Sequence, residues 1–240
     1  MNLRIASLLG LYLLPIFMAA GGTITLSAVD SGWYQSDGSA SASTNQNYIA
    51  GTIGGSSLEF RDFFVFDLSS VTQPIISAQL QAYNPSITVA GDIANGFTSP
   101  NASDTFNLFD VSTPITTLSG RTGGVAAFTD LGGGTTYGTH VFTTADNGTI
   151  VSISLNAMGI AALNGAHTLF ALGGADVTVV LGQARDNVFA FTGGPDVSNT
   201  TRQLVLQTAA VPEPSTLRLT AICGAILFLL WRRRTHTMGS

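Results

Sequence analysis

The sequence predicts an all-β protein: an antiparallel β-sandwich, jelly-roll-like, with an N-terminal signal helix before it and a single C-terminal transmembrane helix after it. Three observations lead to this prediction. Only 10% of the residues are charged and 45% are hydrophobic, and the 27 glycines accompany many Ser, Thr and Asn residues, which is typical of short strands joined by polar turns. Hydrophobic residues recur with a period of two from Leu58 onward, as in half-buried strands. Glycine-rich segments separate these runs.

Residues 1–22 have the organisation of a secretory signal peptide. Arg4 supplies a positive charge, residues 5–17 are apolar, and the small residues 19–22 form a cleavage zone. The apolar run is shorter than the ~20 residues that a membrane-spanning helix needs. We predict cleavage just before Thr23, with a cut one or two residues earlier as the alternative. A buried N-terminal helix is the structural alternative to a signal peptide.

Two neighbouring segments carry the clearest strand pattern. Both faces of residues 58–68 are apolar because Phe63 and Val65 interrupt the alternation of the other Phe residues, which predicts a central strand of a sandwich. After a turn at Pro74, residues 76–82 alternate cleanly between apolar and polar side chains. We predict that these two strands pair with each other.

Further strands are predicted along the rest of the body. They fall at 105–111, 140–144, 150–155, 168–172, 177–181, 188–191 and 203–207. Gly-rich or Asn-Gly turns separate most of them, at 132–134, 147–148, 173–174 and 193–195. A short helix is predicted over 157–163, with Asn156 as its N-cap and Gly165 just past its end.

The chain ends in a proline motif, an apolar segment and a basic cluster. These are formed by Pro212, Glu213 and Pro214, by residues 217–231, and by Arg232, Arg233 and Arg234. The prolines stiffen an extended spacer, and the arginines stop translocation and remain cytoplasmic. Arg218 interrupts the apolar segment, so the remaining span is shorter than the ~20 residues of a stable transmembrane helix. This favours a temporary anchor, with a permanent single-pass anchor as the alternative.

This succession of a Pro-Glu-Pro motif, a hydrophobic helix and an Arg cluster resembles the PEP-CTERM sorting signal. The resemblance covers residues 211–240 and implies export by a Gram-negative bacterium, with transient anchoring in the inner membrane. It also implies a processing partner, exosortase, which is a membrane transpeptidase-like cysteine enzyme that cleaves near the motif. The mature protein would then lie at the cell surface or be extracellular. The predicted division is a signal peptide at 1–22, a β-sandwich at 23–210 and a sorting tail at 211–240.

A second resemblance lies in the body. Residues 61–69 (RDFFVFDLS) and 76–80 (ISAQL) are similar to a strand pair of secreted jelly-roll modules, including DNRLRE-type bacterial surface modules and carbohydrate-binding-like sandwiches. The resemblance implies that Asp67 and Ser69 cap the turn that reverses the chain, and that Ala78 is small where strands cross. These roles are structural and name no ligand.

The charge of the body excludes one class of partner. Residues 23–210 contain four arginines and thirteen acidic residues, a net charge of −9, and such a surface repels nucleic acid. The single cysteine, Cys223, lies in the C-terminal apolar segment, which excludes disulfides and cysteine-based zinc sites in the body. Calcium bound by turn carboxylates and carbonyls is the one cofactor we consider. No calcium-binding motif fixes its ligands, so the metal-binding residues remain unassigned.

The body carries no recognisable catalytic motif. His140 and His167 are its only histidines, neither belongs to a Gly-x-Ser-x-Gly string, and we predict both as solvent-facing turn residues. The acidic residues offer pairs for glycoside cleavage, but all except Glu59 are Asp, mostly beside residues typical of turns. We therefore expect that the protein is not an enzyme.

Four aromatic residues in Gly- and Ser-rich segments are candidates for stacking on sugars: Trp33, Tyr34, Tyr48 and Tyr137. The alternative is that these rings close the ends of the sandwich. Together with the tail, these features lead us to expect a non-catalytic, exported cell-surface or extracellular-matrix protein that associates with exopolysaccharide. The alternatives are a secreted polysaccharide hydrolase or lyase that uses an Asp pair, and a carbohydrate-binding module.

Overall fold

Antiparallel strands dominate the part of the protein that we describe from a computed structural model. The structure describes residues 21–43, 47–86, 96–183, 185–189 and 201–210, together with residues 223, 224, 226 and 227. Gly22–Ala209 form one compact unit. Every strand pairing in these ranges is antiparallel, so the prediction of an all-β, sandwich-like fold is confirmed.

The strands and helices of the described residues are numbered in chain order. The strands are β1 Thr23–Ser27, β2 Asp30–Gln35, β3 Ile49–Ile53, β4 Phe60–Asp67, β5 Ile75–Asn84, β6 Asp104–Phe109, β7 Thr136–Phe142, β8 Thr149–Ser154, β9 Leu169–Asp176, β10 Arg185–Phe189 and β11 Arg202–Thr208. The helices are α1 Ile115–Ser119, α2 Gly124–Leu131 and α3 Ala157–Gly165, and a 3-10 turn covers Thr144–Asp146.

Two sheets form the sandwich. The smaller sheet has the order β1-β11-β5-β8, and the larger has the order β10-β3-β4-β9-β6-β7, with β2 also paired to β4. The predicted pairing of segments 58–68 and 76–82 is wrong, because β4 belongs to the larger sheet and β5 to the smaller one. Residues 68–74 carry the chain from one sheet to the other. Strand neighbours are chosen by the tertiary fold, and local alternation alone does not encode them.

The core lies between the sheets, and a second apolar layer lies outside the larger one. Phe64 and Phe66 of β4 pack inward against residues of the smaller sheet such as Leu80 and Leu204. Phe63 and Val65 point to the opposite face, where α1 and α2 cover them. The prediction that β4 is a central strand with two apolar faces is confirmed, although the sequence analysis missed the two helices that cover the outer face.

The predicted turn at 173–174 and the predicted strand at 177–181 are both wrong. One strand, β9, continues through Gly173 and Gly174, and a turn-rich loop follows it. A Cβ on Gly173 would lie 2.8 Å from the Leu131 carbonyl oxygen, and one on Gly174 would overlap the Asp62 carboxylate. These glycines therefore mark close approaches of neighbouring elements inside a strand and do not form a turn.

The predicted helix over 157–163 is confirmed as α3, although it ends two residues later, at Gly165, which was predicted to lie just past its end. The Asn156 side chain accepts hydrogen bonds from the backbone N–H groups of Met158 and Gly159, at 2.9 and 3.1 Å, as expected of an N-cap. The turn that ends β4 also forms as the resemblance implied, since the Ser69 backbone N–H donates to the Asp67 carboxylate over 2.9 Å.

Both ends of the compact unit lie at the same end of the sandwich. The Thr208 backbone N–H donates to the Gly22 carbonyl, and the Ala209 backbone N–H donates to the Pro74 carbonyl, over 2.9 and 2.7 Å. Residues 1–20 of the predicted signal peptide and nearly all of the predicted tail lie outside the described residues. Among the residues that are described, no helix combines the length and apolar composition needed to cross a membrane.

Candidate metal centre

Three aspartates meet inside the sandwich. Asp104 is the first residue of β6, Asp176 is the last residue of β9, and Asp186 is the second residue of β10. One carboxylate oxygen from each lies within 4.8 Å of the other two. The three residues, which we call the Asp triad, are between 0% and 2% exposed. Asp and Glu are almost never fully buried without a partner, so the triad requires an explanation.

Strand geometry brings the Asp triad together. Phe106 stands directly opposite Asp176 in the β6–β9 ladder. Side chains alternate along a strand, so Asp104, two residues before Phe106, points to the same inner face as Asp176. Asp186 shares its strand face with the buried Val188, two residues further along β10. β10 pairs with β3, which lies on the same edge of β4 as β9.

The triad lies far from the end of the sandwich where Gly22 and Ala209 emerge. Asp67, which leads into the loop containing Pro74, pairs with Leu169 at the start of β9. Asp176 lies at the other end of β9. At about 3.4 Å per residue, this eight-residue strand separates the two ends.

Each carboxylate of the Asp triad accepts hydrogen bonds on one oxygen. The donors are the Asn101 side-chain amide to Asp104 Oδ1 at 3.1 Å, the Thr178 backbone N–H and hydroxyl to Asp176 Oδ1 at 2.9 Å each, and the Val180 backbone N–H to Asp186 Oδ2 at 2.5 Å. These bonds hold the carboxylates in fixed orientations, with the loop after β9 contributing two of the three donor residues.

The second oxygen of each carboxylate has no hydrogen-bond partner. These atoms are Asp104 Oδ2, Asp176 Oδ2 and Asp186 Oδ1, and all three are buried. A buried polar atom without a partner costs about 1–3 kcal/mol, and more when it is charged. Three such atoms converging at one point indicate a place for a cation, which would partner all of them at once.

Burial and nearby carboxylates raise the pKa values of Asp176 and Asp186. Burial raises the pKa of Asp176 to about 7, and the nearby charges of Asp104 and Asp186 add to the rise, against hydrogen bonds from Thr178. Burial also raises the pKa of Asp186, against hydrogen bonds from the Ser99 side chain and the Val180 backbone, and a side-chain hydrogen bond with Asp104 together with the Asp104 charge adds to this rise. Without a cation, the folded protein therefore holds protons here that an unfolded chain would release near pH 4.

The donor set selects the class of metal. Carboxylate oxygens suit hard cations such as Ca²⁺, Mg²⁺ and Mn²⁺, whereas zinc and copper sites use His or Cys. The three oxygens lie within 4.8 Å of one another, close enough for one hard cation to contact all of them. Ca²⁺ accepts irregular coordination more readily than Mg²⁺, which demands near-ideal octahedral geometry, and carbonyls or waters would complete the six to eight ligands of Ca²⁺.

A fourth buried carboxylate lies near this end of the larger sheet. Asp62 is 0% exposed, neither of its oxygens has a hydrogen-bond partner, and burial raises its pKa well above the ordinary value. It stands opposite Gly174 in the β4–β9 ladder, where its carboxylate lies over the glycine beside the Phe106 ring. Asp62 is not one of the three converging residues.

Two of the four candidate sugar-stacking residues belong to the core. Tyr34 is 0% and Tyr48 1% exposed, and their hydroxyls donate to backbone carbonyls of Thr117 and Tyr83 over 3.1 and 2.8 Å. Neither ring offers a free face to a sugar: Tyr48 packs in the core between the sheets, and Tyr34 packs in the apolar layer outside the larger sheet. Hydrophobic burial of the ring with a bonded hydroxyl is the usual state of a core tyrosine.

The other two candidates keep partial exposure but lie apart. The Trp33 ring packs edge-on against Phe60 with centroids 4.9 Å apart, and Tyr137 stacks with Phe170 at 6.5 Å. Their strands, β2 and β7, are separated by β4, β9 and β6, roughly 19 Å along the sheet at ~4.8 Å per strand. The structure does not bring these rings into one sugar-binding platform.

The remaining predicted functional residues divide into two groups. His140 is not in a turn, because it lies on β7, with its Nε2 3.2 Å from Asp146 Oδ1. Asp146 in turn caps the 3-10 turn, so this pair is structural. His167 is exposed between α3 and β9, as predicted. The sorting motif Pro212, Glu213 and Pro214 and the stop-transfer residues Arg232, Arg233 and Arg234 lie outside the described residues.

Comparisons with known proteins add no family to this description. The chain matches no protein-family model, and it has no significant match among curated protein sequences.

Proposed function

We propose that the protein is an exported, non-catalytic cell-surface or matrix protein whose β-sandwich binds one Ca²⁺ ion at the Asp triad. The observation that carries the calcium assignment is the convergence of three buried carboxylate oxygens without partners. Calcium satisfies all three, accepts irregular coordination, and is available outside the cell to modules that bind it with dissociation constants of about 10⁻⁴–10⁻³ M.

The burial of the site supports a structural ion. A catalytic or ligand-bridging metal needs an open coordination position that substrate can reach, whereas the three aspartates are at most 2% exposed. The same burial argues against the alternative of a hydrolase that uses an Asp pair, because a polysaccharide must reach both carboxylates. Release of reducing ends from the host's exopolysaccharide across a pH series would restore that alternative.

The export proposal rests on the two ends of the sequence. A signal peptide at 1–22 and a PEP-CTERM-like tail at 211–240 would deliver the body across the inner membrane and hold it there until exosortase-type processing. The fold supports this proposal, because β1 and β11 are neighbours and both ends of the body emerge together, leaving the Asp triad at the other end. Adjacent first and last strands also support the finer assignment of a jelly roll.

Sorting is tested in the host with and without its exosortase gene. We expect the mature protein to begin near Thr23, to lose the residues after the Pro-Glu-Pro motif, and to leave the inner membrane only when the gene is present. Intact-mass measurement of the mature form fixes both cleavage sites. An unchanged mass and location without the gene would contradict the sorting proposal.

Calcium binding is tested on the same purified protein. After treatment with chelator, titration calorimetry with CaCl₂ at pH 7.5 should show one ion per chain, and Asp104→Asn should weaken binding at least tenfold. Asp37→Asn is the matched control, because Asp37 is exposed and bonds only within its own turn, to Ser39. Equal calcium binding by all three proteins would reject the Asp triad as the site.

Association with polysaccharide has its own candidate residue. Trp33 is partly exposed, and an exposed indole ring stacks on sugar faces. A glycan array with wild-type protein and Trp33→Ala separates a binding role from a packing role against Phe60. We expect binding to exopolysaccharide fragments to fall at least tenfold in Trp33→Ala, and equal binding by both proteins would remove Trp33 from the proposal.

A further inference from the structure

An exposed aliphatic loop follows β9 at the end of the sandwich that carries the Asp triad. We call residues 177–183 the apolar loop. Its side chains Val177, Val180 and Leu181 are 49%, 39% and 46% exposed. Other exposed aliphatic residues of the described body, such as Met158 on α3, are spread over separate elements, and single residues of this kind are common on protein surfaces. A cluster on one loop indicates an interaction surface.

The aliphatic cluster extends onto the larger sheet. Val141, which is also exposed, stands opposite Thr105 in the β6–β7 ladder. On the other side of β6, the Val177 backbone N–H donates to the Thr105 carbonyl over 2.8 Å. Val141 and Val177 therefore flank the same residue of β6, about 10 Å apart at the usual strand spacing. The apolar loop and β7 thus both contribute exposed valines at this end of the sandwich.

The polar groups of the apolar loop are turned into the protein. Four of its backbone N–H groups donate to protein acceptors: Val177 to the Thr105 carbonyl, Thr178 to Asp176 Oδ1, Val180 to Asp186 Oδ2 and Gly182 to the Ser56 carbonyl. The Thr178 hydroxyl donates to Asp176 Oδ1 over 2.9 Å and accepts from the Thr105 backbone N–H over 2.8 Å. Polar groups that are already bonded inside the protein lose no water when the loop enters an apolar medium.

This hydrogen bonding distinguishes two kinds of partner. A protein segment that adds as a strand needs unpaired N–H and C=O groups along an edge, and most N–H groups of the apolar loop are already in use. A loop with bonded donors inside and aliphatic side chains outside instead suits contact with hydrocarbon. The apolar loop therefore fits a lipid surface better than a pairing strand.

An arginine without an ion-pair partner stands beside the apolar loop. Arg185 is the first residue of β10, it is partly exposed, and no acidic residue occurs from 177 to 185. Arg61 and Arg121 are ion-paired, and Arg202 donates to Ser31, whereas Arg185 forms no ion pair within the described ranges. Aliphatic side chains next to an unpaired guanidinium are typical of segments that lie at a phospholipid interface, where the cation contacts the phosphates.

We propose that the apolar loop docks the protein onto a phospholipid surface. Val177, Val180 and Leu181 enter the boundary between headgroups and acyl chains, and Arg185 contacts the lipid phosphates. This inference goes beyond the proposed function, because it requires neither calcium binding nor sorting. It gives the body a membrane contact at the end of the sandwich opposite to the one where its two chain ends emerge.

Vesicle flotation of the full-length chain tests the docking. Nanodiscs of neutral phosphatidylcholine take up the apolar segments at both ends of the sequence, so capture by added vesicles reports on the body. Vesicles of phosphatidylethanolamine and phosphatidylglycerol, mixed at about 7:3, should bind the wild type. Leu181→Gln should weaken this binding about tenfold or more, and Arg185→Gln about fivefold. Met158→Gln is the matched control, because it makes a similar change at an exposed position of α3, and it should bind as the wild type does.

Two results would overturn the docking. One is the absence of wild-type capture by these vesicles above that of empty nanodiscs. The other is equal capture of the wild type, Leu181→Gln and Met158→Gln, which would place the contact elsewhere on the body. Val180→Thr, which keeps the shape of the side chain, replaces Leu181→Gln if that variant does not fold. Neither result depends on calcium titration or on the mass of the mature form, so failure of the docking is distinguishable from failure of the proposed function.

Discussion

Replacement of Asp176 by Asn separates the two roles that the Asp triad plays in the presence and absence of calcium. In the metal-free protein, burial raises the pKa of Asp176 to about 7. A rise of about three pKa units above the ordinary value costs about 4 kcal/mol of stability once the pH exceeds 7. Asn removes the charge, keeps an oxygen for the Thr178 hydrogen bonds, and presents an amide to the carboxylates of Asp104 and Asp186.

The expected gain is smaller than the whole penalty, because two carboxylates remain close together. We expect Asp176→Asn to stabilise the metal-free protein at pH 7.5 by ~2 kcal/mol, which raises the Tm of a body of this size by about 4–8 °C. In 5 mM CaCl₂ the free energy of unfolding of the wild type should rise by about 2 kcal/mol if its dissociation constant for calcium is near 10⁻⁴ M. The free energy of unfolding of the variant should not change, so the two proteins should be about equally stable in calcium.

Differential scanning calorimetry in chelator and in calcium measures both effects. Asp37→Asn is the control, and it should match the wild type in both buffers. The reasoning would be refuted if Asp176→Asn melted below the wild type in chelator while both proteins gained the same Tm in calcium. That result would mean that the Asp176 carboxylate stabilises the fold through contacts other than those of an ion.

Three further outcomes follow from the buried charges. The raised pKa values of Asp62 and Asp176 mean that the folded protein binds protons which the unfolded chain releases. The stability of the metal-free protein should therefore fall as pH rises from about 4 to about 7. Urea unfolding at each pH measures this, and stability that rises over this range would contradict the prediction. Asp62→Asn should raise the metal-free Tm at pH 7.5 but not at pH 4, and calcium should still raise the Tm of this variant. If calcium no longer raised its Tm, Asp62 would be placed at the ion. Arg121→Ala should lower the free energy of unfolding, measured in urea, by about 3–5 kcal/mol. Arg121 forms a two-point ion pair with Asp30, at 2.9 and 3.0 Å, and their side chains are only 7% and 15% exposed. A decrease below 1 kcal/mol would show that the pair contributes little.

Local patterns in the sequence determine several elements without reference to the rest of the fold. The Asn156 cap and the apolar run behind it predict α3, and the apolar residues on both faces of residues 60–66 predict a central strand. These features depend on neighbouring residues and on a fixed period. The strand at 60–67 accordingly lies within the predicted segment 58–68, and the helix at 157–165 begins where predicted and ends two residues later.

Tertiary contacts decide the elements that the sequence analysis misassigned. Gly173 and Gly174 have the composition of a turn, but they lie inside β9 because Leu131 on one face and Asp62 on the other approach too closely for a side chain. The partner of β4 was also misassigned, since the seven-residue loop 68–74 between β4 and β5 serves equally well for a hairpin or for a crossing between sheets. No local signal distinguishes these two outcomes.

The sequence contains a weak indication of the Asp triad. Asp104 and Asp186 each stand two residues before a buried apolar residue, Phe106 and Val188, and so occupy an inward-facing position of a strand. Acidic residues in such positions are unusual and mark candidates for a buried site. Their convergence could not be predicted, because it depends on β3 lying on the same edge of β4 as β9, which brings β10, the partner of β3, close to β6 and β9.

A crystal structure of the protein grown in CaCl₂ is the most direct test of the central claim that the Asp triad holds Ca²⁺. We predict an anomalous-scattering peak for calcium bonded to Asp104 Oδ2, Asp176 Oδ2 and Asp186 Oδ1 at about 2.3–2.6 Å from each oxygen. If the three carboxylates were instead hydrogen-bonded directly to one another through shared protons, with calcium present in the crystal but not between them, the claim would be contradicted.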